Sequence, residues 1–397
     1  MSSERSSIFV ILVYQAMFLF TGFYQTIAAQ YLYYRGAASG TSLLTNTAQY
    51  IGTASVGLLL LPAWLAKRKR SNKAEFTMVN IGKIKATKTQ KEYELLPSGD
   101  AEDTFENTLD SKFSNQKEVV NYYLIMAASL LDVMANFTLT IGFFYVGSGM
   151  FQVIYSSVVI WCAILSFFFL GRKLLFVQSL CIIGVFIGLA LSALGISQDQ
   201  DDQHTTPPPA TATGPTILHS FNMSSTMFGM ILTSFATFGY ACVYVVSDQI
   251  FTVRSSNELP PSPEKACFLV GSCCSCLSML YLVFYTIPNW NSLVTEEIAK
   301  KADHTSTFTI VTIYLMLIFA SFIHNLAYYQ LIKQIGNVST GLLNSIRAIV
   351  VFGLSHVMFC EMDNGQCFNV WKGWSTLIVV GCVTIFSLSK LHEKEKR

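Results

Sequence analysis

Residues 119–167 and 311–359 lie on one another without a gap when the chain is shifted by 192 positions, with 12 identities in 49 pairs. The matches include Tyr122/Tyr314, Ala128/Ala320, Ser129/Ser321, Ala135/Ala327, Gly149/Gly341, Ile154/Ile346 and Val158/Val350. Apolar segments resemble one another by composition, so each identity is weak by itself. The unbroken register across two apolar runs and the turn between them carries the point. An internal repeat constrains the fold before any local pattern does. Under this register Asp132 falls on His324, Gln152 on Asn344 and Tyr155 on Arg347.

Both copies belong to a chain built from apolar runs. A bilayer core of roughly 30 Å needs about 20 apolar residues per helix. Ten such runs are legible, at 8–29, 43–66, 119–142, 148–170, 174–195, 224–248, 266–287, 308–332, 337–360 and 370–390. Charged residues make up 13% of the chain, against roughly 25% in soluble proteins. This composition predicts an all-α integral membrane protein and excludes a soluble multidomain enzyme. The net charge of +2 points to no nucleic-acid partner. The first run carries a small-residue pair, Ala28-Ala29, as a signal-peptide cleavage site does. It is long for a signal and is interrupted by Gln15 and Gln25, so it reads as a span, with Gly22 matching Gly239 of the sixth.

Two stretches lack the composition for a core. Residues 67–118 are polar and mixed in charge, and 196–223 are acidic and then Pro/Thr-rich; both are expected to be disordered. With the N-terminus in the cytosol, 21 Lys/Arg fall on the cytosolic side and 4 opposite, with Arg347 inside a span. That bias places both termini and the 67–118 loop in the cytosol. Five spans per repeat is an odd number, so the two repeats must cross the membrane in opposite senses. The expected organisation is a first repeat over 1–195, a lumenal loop over 196–223, a second repeat over 224–390 and a cytosolic tail over 391–397. Inverted repeats of this kind mark secondary transporters, whose substrate site lies at the midplane between repeats.

Several local sequences carry a family likeness. They are Phe151-Gln152, the FLGRK stretch ending at Lys173, NSIRAIVVFGLS from Asn344 and TGFYQTIAAQY from Thr21. With them the chain resembles the drug/metabolite transporter superfamily, and within it the F branch of solute carrier family 35. A looser similarity extends to chloroquine-resistance-type transporters. The likeness covers nearly all of the chain outside the two polar loops. It implies ten helices, with spans 1–4 and 6–9 around a central cavity and spans 5 and 10 packed outside. The chain departs from the family at Tyr155, where an Arg is usual, and keeps Arg347.

A charge at the bilayer centre costs about 2.5–3.5 kcal/mol on insertion scales, so Asp132, in the middle of its run, is the sharpest functional candidate. Asn136 extends its stripe by one helical turn. The other reading of Asp132 is a structural hydrogen bond to a neighbouring helix. Arg347 cannot shed its charge; it is expected to hold an anionic group or to pair with Asp132. His324 can change charge between pH 5 and 8 and occupies the repeat position of Asp132. Gln25, Gln152, Tyr155 and Asn344 complete the candidate substrate and coupling residues, while Asp248 and His356 sit nearer helix ends.

The ten cysteines show no metal-site spacing. Cys267, Cys273, Cys274 and Cys276 lie in an apolar run without nearby His or acid ligands and read as small-residue packing. Cys360 and Cys367 flank a short non-cytosolic loop, where a disulfide can persist. Gly184 and Gly188 form a GxxxG suited to close helix packing, with a homodimer face as the lesser alternative. Asn222 sits in a glycosylation sequon close to span 6. Tyr93 to Leu96 fits a tyrosine-based sorting signal, which suits endosomes, lysosomes or a vacuole.

The function expected from these features is a secondary transporter of a small organic solute in an intracellular membrane, using alternating access and proton coupling through Asp132 and His324. A nucleotide-sugar carrier of the Golgi or endoplasmic reticulum and a non-transporting receptor or scaffold remain as alternatives. No catalytic arrangement, cofactor or metal is expected; the partners are a small-molecule substrate and the lipid bilayer.

Overall fold

The computed structural model describes residues 2–62, 117–170, 176–201, 225–252, 258–300, 305–363 and 366–395. It is helical apart from one two-residue strand pairing. The helices are α1 (Ser2–Tyr34), α2 (Leu44–Ser55), α3 (Tyr122–Val146), α4 (Ser148–Ser156), α5 (Val158–Leu170), α6 (Phe176–Asp201), α7 (Ser225–Ile250), α8 (Pro263–Tyr281), α9 (Glu296–Ala299), α10 (Thr307–Phe359) and α11 (Val370–Glu395). Tyr93, Leu96 and Asn222 lie outside the described residues.

Local chemistry sets the helix boundaries. The Asn121 side chain caps α3 by accepting from the Tyr123 and Leu124 amides at 3.1 and 3.3 Å, satisfying donors that a helix start leaves free. Ser262 caps α8 the same way, with Pro263 as its first residue and no amide there to orphan. Gly147 separates α3 from α4 at φ 77°, a conformation that favours glycine. Gly336 breaks α10 at φ 82° into two arms. The run expected over 148–170 divides at Ser157, where the Ser156 and Ser157 hydroxyls donate back to the Val153 and Ile154 carbonyls at 2.6 and 2.7 Å. Such back-bonding bends helices.

Six helical stretches among the described residues are long and apolar enough to cross a membrane: Phe9–Tyr34, Tyr122–Val146, Ser148–Leu165, Ser225–Ile250, Pro263–Thr286 and Thr307–Gly336. Phe176–Gly188, Ile346–Phe359 and Val370–Phe386 are apolar but shorter. The burial pattern is the inverse of a soluble domain. Phe235, Leu315, Phe319 and Leu377 are all at least 60% exposed, whereas Gln152, Asn344, Ser129 and Thr233 are fully buried. A water-soluble surface rarely carries apolar groups so widely; lipid accepts them without cost. The chain is an α-helical membrane protein.

Packing follows small residues. α1 lies along α10 and α7 along α3, with Gly239 opening room for Ala135. α2 meets α8 and the first arm of α10, where Gly52 approaches the Ile318 carbonyl and Ser321. α4 packs on the second arm of α10, and α6 on α11. In that last contact Gly184 and Gly188 face Cys382 and Val379, so the GxxxG serves packing within the chain. The largest buried cluster joins Val158, Val159 and Ile160 of α5 to Val185, Tyr244, Val379 and Phe386.

Two features lie beyond the reading of the sequence. At the end of the polar loop, Lys117 and Glu118 (β1) pair in parallel with Glu258 and Leu259 (β2). Lys265 completes the join with a 3.0 Å ion pair to Glu118. The apolar span Pro263–Thr286 closes in a π turn at Leu282–Thr286, and a second π turn at Asn291–Thr295 leads on into α9.

Candidate functional site

A cavity of about 180 Å³ opens among the helices. α1 contributes Phe18, Gly22, Gln25 and Tyr33; α2 contributes Asn46, Gln49, Tyr50 and Thr53; α3 contributes Asp132, Asn136 and Thr140. Across from these stand Tyr155 of α4, Tyr240 and Tyr244 of α7, Cys274 of α8, and His324, Tyr328, Asn344 and Arg347 of α10. Seven of the eight residues expected from sequence therefore line one space. The eighth, Gln152, is fully buried beside it and reaches it through Arg347.

Arg347 is 8% exposed. Its Nη2 donates to Gln152 Oε1 at 3.1 Å, and its guanidinium lies 5.7 Å from the centre of the Tyr155 ring, within cation–π range. Tyr155 is itself stacked on Phe151 at 5.8 Å and edged by Tyr240 at 5.4 Å. Gly22 makes room for the guanidinium: a Cβ there would stand 2.7 Å from Nη1. The structural pair weighed for Arg347 and Asp132 is not formed. Among the described residues no carboxylate lies within ion-pair distance of Arg347, whose Nε, like Gln25 Nε2 and Gln152 Nε2, has no hydrogen-bond partner.

Asp132 has a different shell. Asn136 Nδ2 donates to its Oδ2 at 3.2 Å, and the Cys274 thiol points at the same oxygen from 3.7 Å. Asn136 also donates to the Tyr50 hydroxyl at 2.7 Å. A lattice behind them ties α2 to α3 through Asn46 and Thr140 at 2.7 Å. The reading of Cys274 as packing far from any acid is thus corrected, because the approach of α8 to α3 brings the thiol onto Asp132. No group of three or more His, Cys, Asp or Glu side chains suited to a metal occurs among the described residues.

His324 faces the cavity with its ring stacked on Phe18 at 4.3 Å. Its Nδ1 lies 3.0 Å from the Phe18 carbonyl and 3.1 Å from the Thr21 hydroxyl. The carbonyl can only accept, so it holds a proton on Nδ1 and leaves Nε2 as the free ring nitrogen. Asn344 donates to the Tyr244 hydroxyl at 3.2 Å, which fixes the side of the cavity next to Arg347.

At the end of the bundle near the α3–α4 turn, polar groups knit the helices shut. Tyr34 donates to Asp363 at 2.7 Å, and Gln366 Oε1 accepts from Ser355 at 2.8 Å. Cys360 and Cys367 are joined as a disulfide in the same loop, with Cα atoms 4.5 Å apart.

Sequence reasoning missed Asn46, Gln49, Tyr50 and Thr53. Their spacing of three, one and three residues puts them on one face of α2, a polar stripe that helical periodicity can reveal. Gly22, Tyr240 and Tyr244 carried no such signal.

No family model matches the chain, and no curated protein matches it. A solved structure described as "Crystal structure of protein" is similar at 10% identity, with 96% of each chain covered and a TM-score of 0.47. The functional reading rests on the cavity itself.

Proposed function

We propose that the chain is a secondary transporter of a small organic solute, working by alternating access between two inverted five-helix repeats. The observation that carries this is the cavity: one space at the helix middles, lined from both halves of the chain, holding Asp132, His324 and Arg347. Charged groups at that depth are costly and mark solute or ion pathways.

Reciprocal contacts support the repeat. Gly149 approaches Phe352, and Gly341 approaches Val159; shifted by 192 positions, each glycine becomes the other and the partners fall within one residue. Likewise α2 reaches Ser321 through Gly52, and α8 reaches the Ser129 carbonyl through Cys274 at 3.7 Å. Ser129 and Ser321 are repeat mates. A two-fold relation between halves produces paired contacts of this sort, and it is the relation that lets one half rock against the other.

Proton coupling is the mode that Asp132 and His324 support, both being titratable, cavity-facing and at equivalent repeat positions. The cytosolic termini are proposed from the basic-residue bias and the intracellular membrane from the Tyr93–Leu96 sorting pattern. A nucleotide sugar is the weaker substrate class: a diphosphate asks for several cations, and among the described residues that line the cavity Arg347 is the one Lys or Arg. Purified protein in liposomes, offered a panel of small solutes with and without an inward proton gradient, tests the reading. Gradient-dependent accumulation is expected; solute movement no faster than in empty liposomes opposes it.

A further inference from the structure

Asp132 and Arg347 bound the same cavity, and neither has an ionic partner among the described residues. No ion pair joins them, and each rests on neutral ligands instead. Asn136 and Cys274 hold the carboxylate on the α3–α8 side, and Gln152 and the Tyr155 ring hold the guanidinium on the α4–α10 side. On the Arg347 side, Arg347 Nε and Gln152 Nε2 lack acceptors and Asn344 Oδ1 lacks a donor, so that side can both donate to an anionic group and accept beside it; Gln25 Nε2, also on the cavity wall, lacks an acceptor too. The Asp132 side offers an acceptor oxygen. An aromatic wall containing Tyr155 and Tyr240 lies along the space.

From this we infer that the cavity binds a small zwitterion, with its anionic group, a carboxylate, on Arg347 and its ammonium group on Asp132, so that the solute completes both interrupted charges at once. The inference deepens the transporter reading of the same cavity and rests on it for biological meaning. A molecule with one charge satisfies one pole and leaves the other buried and unmatched, which costs binding. A zwitterion also enters with no net charge, so the cavity can close around it without trapping an ion.

Three molecules of one skeleton separate the possibilities: 5-aminopentanoate, pentanoate and pentylamine. Binding to the purified full-length protein is read as a concentration-dependent rise in Tm. The zwitterion is expected to act at least about tenfold below either singly charged analogue, a difference of one decade in Kd. Arg347→Gln should bring 5-aminopentanoate down to the level of pentylamine, and Asp132→Asn down to the level of pentanoate. Each variant's Tm without additive reports whether it is folded. If a variant does not fold, the three-compound comparison on the unaltered protein decides.

Equal action by pentanoate overturns the proposal in favour of an anion site, and equal action by pentylamine in favour of a cation site. No rise with any of the three overturns it as well. Uptake of the labelled compounds into liposomes separates this inference from the transporter reading. Uptake of pentanoate alone sinks the zwitterion and leaves transport standing. Selective binding of 5-aminopentanoate without uptake does the reverse.

Discussion

Arg347 donates to Gln152 at 3.1 Å rather than to Asp132, though all three belong to or border one cavity. A guanidinium resting on a neutral amide and an aromatic ring keeps its charge available. Gln152→Leu removes that acceptor, worth roughly 1.5–3 kcal/mol for a hydrogen bond to a charged group, and should lower Tm accordingly. Gln152→Glu should keep or raise Tm by supplying a carboxylate, yet abolish binding of any carboxylate-bearing solute. Thermal unfolding and ligand-induced Tm shifts measured on both variants check this; unchanged ligand binding in Gln152→Glu would contradict the available charge.

Gly22→Ala places a Cβ at 2.7 and 2.8 Å from Nη1 and Cδ of Arg347 and 3.1 Å from Cε1 of His324. Something must move, and the guanidinium is the freest of the three. The cost is about 1–3 kcal/mol of overpacking, and the expected result is a folded protein with sharply reduced solute binding. Thermal unfolding paired with liposome uptake reads both effects.

The α1–α10 end should depend on the Cys360–Cys367 disulfide, which holds the loop carrying Asp363 and Gln366 against Tyr34 and Ser355. Reduction, or a double Cys→Ser variant, is expected to cost about 2 kcal/mol for a ring this small. Peptide mapping without reductant should find the linked pair. The proposed orientation puts the same loop on the non-cytosolic face, so an epitope tag at the C-terminus should be reachable from the cytosol and one in this loop should not.

Much of this site was legible before the fold. Asp132, His324 and Arg347 stood out because lipid penalises ionisable groups, and the 192-residue register tied the first two together. Asn136 followed from helical spacing. Other features were not legible. Tyr and Thr are common in apolar helices, so nothing in their sequence says that Tyr240, Tyr244 and Thr140 turn inward. The contact of Cys274 with Asp132 depends on how closely α8 approaches α3, set by pairs of small residues far apart in the chain. The missing Asp132–Arg347 pair depends on side-chain reach, which composition does not encode. The break at Ser157 was readable in principle, since two adjacent serines inside an apolar run offer competing partners to the carbonyls behind them.

Asp132→Asn keeps the shape of the side chain and its contact with Asn136 while removing the charge. Folding and trafficking should be largely intact, and proton-driven accumulation should be lost. His324→Gln should alter the pH dependence more than the maximal rate. Liposome uptake from pH 5 to 8 measures both; normal transport by Asp132→Asn across that range would make Asp132 a structural residue and remove the main support for proton coupling.

The central claim, that the cavity faces the two sides of the membrane in turn, has a test that needs no substrate. Gln49 lines the cavity and is half-buried, and none of its neighbours depends on its side chain for a hydrogen bond among the described residues. Gln49→Cys, in a background with Cys273, Cys274 and Cys276 replaced by Ala, is treated with a membrane-impermeant thiol reagent in right-side-out and in inside-out vesicles. Alternating access predicts modification in both preparations. Modification from one side alone, whatever solute is added, would contradict it.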